Sequence, residues 1–147
     1  MRIFTLRKGM GKFIHIRSKK FPVQSGEDDE IINDGMYGKA LAKYLQEQLA
    51  QRGYVVPFVC AEDWGWWVEL DTSPIRSGIC IYALPESSDP IEYVCSDGFT
   101  SDRNWSWAKF RFIDTRQLSS KIYDDLVQTF QSDQDVQIVE VSDEFPF

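Results

Sequence analysis

The alternation of apolar and polar positions divides the chain into short strands and two amphipathic helices. Between Lys12 and Ser18, Ile14 and Ile16 alternate with His15 and Arg17, the two-residue period of a half-buried strand. Pro22 to Asp34 then reads as an acidic loop. From Asp34 to Arg52 the period becomes helical: Met36, Tyr37, Ala40, Leu41, Tyr44, Leu45 and Leu49 share one face, with Asn33 or Asp34 placed to cap the helix and Gly53 to end it. Tyr54 to Cys60, Trp64 to Leu70 and Gly78 to Leu84 are β-branched or aromatic runs, the last two separated by Asp71-Thr72-Ser73-Pro74, and they suggest an antiparallel meander. Ile91 to Cys95 and Trp105 to Ile113 read as further strands, joined by a polar connection in which Asp97-Gly98 invites a turn. Thr115 or Asp114 is placed to cap a second helix with Leu118, Ile122, Leu126, Val127 and Phe130 as its stripe, and Val136 to Val141 closes the pattern as a strand. The tail, Ser142 to Phe147, is expected to be loose.

This order predicts an α+β fold, a mostly antiparallel sheet of about five to six strands with two amphipathic helices packed on one face. At 147 residues the chain matches the length of one ordinary domain, and a single domain over 1–147 is expected. Apolar residues make up 43% and charged residues 27%, enough apolar surface for a packed core and too little charge excess for global disorder. No apolar stretch approaches a membrane span, and basic residues interrupt every short apolar run near the N-terminus, so no secretory signal is read. Cys60, Cys80 and Cys95 are an odd number at spacings that fit neither a disulfide framework nor a CxxC metal site. They read as reduced, buried thiols of a cytoplasmic protein.

Charge changes the picture more than composition does. The net charge of −7 conceals a basic segment, residues 1–20, with seven cations (Arg2, Arg7, Lys8, Lys12, Arg17, Lys19 and Lys20) and no acid; nine basic and 23 acidic side chains remain for the rest. An acidic body repels nucleic acid and attracts basic protein surfaces, so nucleic acid is expected, if at all, only at segment 1–20, which otherwise folds back on the acidic body. Glu27-Asp28-Asp29-Glu30 reads as a solvated loop, because calcium loops space their ligands around a glycine turn.

All five tryptophans fall in two clusters, Trp64-Gly65-Trp66-Trp67 and Trp105-Ser106-Trp107. Strand alternation assigns Trp64, Trp66, Val68 and Leu70 to the core face and Trp67 and Glu69 to the other. In the second cluster Trp105, Trp107, Lys109 and Arg111 share one parity, and Ser106, Ala108, Phe110 and Phe112 the other. With Phe110 and Phe112 facing the helices, the first set becomes an aromatic and cationic stripe on the open face of the sheet, the composition of a binding hot spot. The alternative for Lys109 and Arg111 is pairing with Glu69 and Asp71 across the sheet.

These features favour a non-enzymatic protein that binds a macromolecular partner, a basic protein of the immunity, inhibitor or adaptor type, with Trp67, Trp105, Trp107, Lys109, Arg111, Glu62 and Asp63 as candidate binding residues. The alternative is a domain for a small ligand, sugar or nucleobase, or a small hydrolase, that uses the tryptophans with Glu62 and Asp63. No catalytic residue, metal or cofactor is assigned; nucleotide and hydrolase motifs are absent, and His15 has no partner in sequence that marks it as a ligand or base. An unpaired edge strand would allow a homodimer.

Overall fold

The computed structural model describes residues 13–99, 103–106 and 109–145, without the side chains of residues 104 and 105. Six strands form one antiparallel sheet in the order β2-β3-β4-β5-β1-β8: β1 (Phe13–Arg17), β2 (Val59–Glu62), β3 (Gly65–Thr72), β4 (Ile75–Ala83), β5 (Glu92–Asp97) and β8 (Gln137–Ser142). Helix α1 (Lys39–Gln51) follows β1, and α2 (Arg116–Gln131) precedes β8. Among the described residues no helix is long and apolar enough to cross a membrane.

The register explains which face is core. Ala61, Trp66, Ile81, Cys95, Ile14 and Val141 are paired in one row across all six strands, and each belongs to the apolar cluster or packs against it. Leu41, Leu45 and Leu49 of α1 and Ile122, Leu126 and Phe130 of α2 close over the same face. The helices divide the sheet between them, α1 on β2 and β3, α2 on β5 and β8. The α+β fold and the antiparallel sheet with its two helices are therefore as the pattern predicts.

Four local expectations are corrected. Met36 and Tyr37 precede α1, whose N-cap is Gly38 rather than Asn33 or Asp34. Its C-terminus does end at Gly53, at φ +96, where the Tyr54 and Gly53 amides bond to the carbonyls of Leu49 and Ala50 as in a Schellman motif. The run read as Tyr54 to Cys60 begins its strand only at Val59, after an isolated bridge from Val55 to Asp71. The span Trp105 to Ile113 is no single strand of the sheet but a separate ribbon, β6 (Arg103–Ser106) paired with β7 (Arg111–Asp114) through a turn in which Phe110 takes φ +50. The tail is held as far as Phe145, whose ring lies edge-on to Phe13 at 5.5 Å and to Tyr82 at 5.0 Å.

The acidic loop is also more than a solvated run. Glu27 is fully buried and sits in a single 3₁₀ turn. One carboxylate oxygen accepts from the Gly38 and Lys39 amides at 2.9 and 3.0 Å, the other from the Gln24 amide at 2.9 Å. Glu27 thus caps α1 from eleven residues upstream, placing a negative charge at the positive end of the helix.

Candidate functional site

The sequence candidates are distributed along β3 and beyond both of its ends. Glu62 and Asp63 lie at the β2–β3 turn, Trp67 midway along β3, and the β6–β7 ribbon beside the β3–β4 turn. At about 3.3 Å per residue, the eight residues of β3 separate the two ends by about 23 Å. Glu62 and Asp63 are therefore not brought together with Lys109 and Arg111.

Trp66, Val68 and Leu70 face the core as alternation predicts, but Trp64 does not. Its ring tilts against Tyr82 at 5.3 Å, on the face opposite to the helices. The turn that breaks the parity is at Gly65, at φ +155, where a Cβ would meet the Ile81 carbonyl oxygen at 2.1 Å. Trp67 stands on the face away from the helices, as expected, but is half-buried there. The space for its ring comes from Gly78 and Gly98, where a Cβ would approach ring carbons at 2.2 and 2.7 Å. Its Nε1 donates to Glu69 Oε1 at 2.8 Å, and Arg76 Nε donates to Glu69 Oε2 at 2.7 Å. Glu69 is thereby committed to Trp67 and Arg76, and the cross-sheet pairing with Lys109 does not form.

The hairpin alters the expected stripe. The hairpin register sets position 105 opposite Phe112 and Ser106 opposite Arg111, so Phe112 exchanges faces with Arg111 relative to a continuous strand. Phe110 and Phe112 do not face the helices; they are 73% and 57% exposed, beside exposed Lys109 and Arg111. The Arg103 guanidinium stacks over the Phe112 ring at 4.8 Å. Ser106, buried, donates to the Pro74 carbonyl at 3.3 Å and accepts from the Lys109 amide at 3.2 Å, which holds the ribbon against the β3–β4 turn. The side chain of Trp105 and all of Trp107 lie outside the described residues, as do Arg2, Arg7, Lys8 and Lys12 of the basic segment. Of that segment's other cations, Arg17 pairs with Glu92 at 3.1 Å and Lys20 with Asp133 at 2.5 Å.

The remaining reactive groups are tied into structure. His15 lies 2.6 Å from Glu92, which also accepts from Arg17 at 3.1 Å. Burial opposes ionisation of Glu92, but these hydrogen bonds and the Arg17 charge outweigh it and hold its pKa below the ordinary carboxylate value. All three thiols are free, and burial pushes each above its usual value, Cys80 to about 11. A thiol so protonated is a poor nucleophile. Among the described residues, no cluster of three histidine, cysteine or acidic side chains is placed to hold a metal ion.

Sequence reasoning missed a set of clefts at the sheet end opposite the ribbon. One, of ≈ 440 Å³, lies between the 22–37 segment and the Leu84–Ile91 loop; a second, of ≈ 470 Å³, lies between that loop and Glu92; a third, of ≈ 170 Å³, reaches Ser18 and Lys19. The first and third are made by segments far apart in the chain, 18–37 against 83–91, which no local pattern signals, whereas the ≈ 470 Å³ cleft is formed within residues 84–92. Comparison with protein-family models, with curated proteins and with solved structures gave no match.

Proposed function

We propose that the protein acts by binding a macromolecular partner, a basic protein, as an inhibitor, immunity protein or adaptor does. The observation that carries this reading is the pair Phe110 and Phe112 on the β6–β7 ribbon, 73% and 57% exposed and flanked by Lys109 and Arg111. Exposed aromatic area of this kind is costly in water and gains about 25 cal/mol per Å² when a partner covers it. Arginine beside aromatics is the composition of interface hot spots. The basic character of the partner rests on the net charge of −7, which steers a cationic protein toward the molecule and penalises an acidic one. Trp105 and Trp107 are proposed as members of this surface from the sequence alone, being adjacent to Ser106 in the chain. Trp67 stands midway along β3, and Glu62 and Asp63, beyond its far end, lie outside this surface.

The ligand-stacking alternative has less support, because the Trp67 ring packs on Gly78 and Gly98 and its N–H is engaged by Glu69. The test is the double variant Phe110→Ser, Phe112→Ser. Folding stability should stay within about 0.5 kcal/mol of the parent, as for exposed positions, while partner retention falls at least tenfold. Full retention by a folded double variant would remove the ribbon from the interface.

A further inference from the structure

We infer that the clefts around the Leu84–Ile91 loop form one continuous docking groove for an extended peptide segment that carries lysine or arginine between apolar side chains. The inference takes the basic character of the partner from the reading above, but it concerns the opposite end of the sheet and does not depend on the ribbon.

The three clefts share walls. Leu84, Pro85 and Ser87 line both larger clefts, and Val23, Ser88 and Ile91 line both the ≈ 440 Å³ cleft and the smallest one. Met36, Leu84, Pro85 and Ile91 give the lining its apolar part. The rim is charged with one sign: Asp34, Glu86, Asp89 and Glu92 line the groove against the single cation Lys19. Glu92 is engaged by Arg17 and His15, while Asp34, Glu86 and Asp89 make no ion pair among the described residues. An apolar channel with uncompensated carboxylates on its rim is complementary to alternating cationic and apolar side chains, and it repels acidic ones.

Both walls are fixed in advance. The Leu84–Ile91 loop is closed at its neck by the Leu84 amide on the Glu92 carbonyl at 2.9 Å and by the Ser87 hydroxyl, which bonds the Leu84 carbonyl and the Glu92 amide, both at 2.8 Å. The facing segment is held by the buried Glu27, by Tyr37 donating to Asp28 at 2.5 Å, and by Asn33 donating to the Asp63 carbonyl at 2.7 Å. A groove whose walls are already ordered avoids part of the entropic cost of binding.

The test uses the full chain, isotope-labelled, titrated with a capped eight-residue peptide of alternating lysine and leucine and with its glutamate–leucine counterpart. The lysine peptide should produce saturable shifts at Val23, Met36 and Ile91 at low salt, weakened about tenfold by Glu86→Lys with Asp89→Lys and unaffected by Phe110→Ser with Phe112→Ser. The glutamate peptide should produce none. Equal binding of both peptides, shifts confined to the 103–114 ribbon, or shifts at these residues that follow protein concentration without peptide would each overturn the inference, the last by assigning the groove to a second copy of the chain. Loss of the native partner with the phenylalanine variant and retention of the peptide would separate the two surfaces.

Discussion

Replacing Glu27 by alanine tests whether the acidic loop is architecture. The carboxylate accepts three backbone N–H groups, from Gln24, Gly38 and Lys39, and is fully buried. Alanine removes the only side-chain cap described for α1, a loss of about 1 kcal/mol, and leaves further buried donors unpaired at about 1–3 kcal/mol, so the expected destabilisation is about 3 kcal/mol. With a urea slope on the order of 1.5 kcal/mol per molar, the unfolding midpoint falls by about 2 M, read by circular dichroism. Glu27→Gln, which keeps the shape but only one acceptor oxygen, should lose roughly half as much. Because Glu27 also fixes one wall of the cleft, Glu27→Ala should weaken binding of the lysine–leucine peptide even under conditions where the fold persists. A midpoint within about 0.5 M of the parent would refute the reasoning, since it would mean that water replaces the carboxylate at no cost.

Gly78→Ala should cost about 1–3 kcal/mol by forcing the Trp67 ring from its place, and less in a Trp67→Leu background; an equal cost in both backgrounds would exclude the ring as the obstacle. Asp97→Asn tests a buried acid. Burial raises the Asp97 pKa against the hydrogen bonds from the Ser119 hydroxyl and the Phe99 amide, so the folded-state value lies above the unfolded one. The stability tied to this group is full below the unfolded pKa and lost as pH rises through the folded value. The asparagine variant should therefore gain on the parent between roughly pH 3 and pH 7, and a constant difference in urea midpoint across that range would exclude the effect. Glu92→Gln should behave with the opposite sign: the lowered folded pKa contributes stability above the unfolded value that is lost on acidification, so the variant's deficit should be larger at pH 7 than at pH 3.

The sheet and helices were legible because their signals are local and periodic. Ile14 and Ile16, Val68 and Leu70, and the stripes of both helices sit where a period of two or of 3.6 places them. The misreadings share a physical cause. The turn between β6 and β7 carries no glycine, proline, asparagine or aspartate; Phe110 itself takes the left-handed conformation, so a nine-residue apolar run passes for one strand. The cap of α1 comes from eleven residues away, beyond the reach of any rule about adjacent positions. Trp64 lies off the core because Gly65, the first residue of β3, breaks the alternation between them. The candidate site was legible only in part: Lys109 and Arg111 are exposed, but Phe110 and Phe112, expected to face the helices, are exposed as well, and the distance of the ribbon from Glu62 and Asp63 follows from the length of β3, which no local pattern signals.

The central claim, binding of a basic partner through the β6–β7 ribbon, is tested most directly by affinity capture from native lysate at low and high salt. The parent chain and the folded Phe110→Ser, Phe112→Ser variant are compared, with retained proteins and small molecules identified by mass spectrometry. The account predicts a stoichiometric basic protein on the parent at low salt, released at high salt and lost from the variant. A partner retained equally by both chains, or a bound small molecule without any protein, would contradict it.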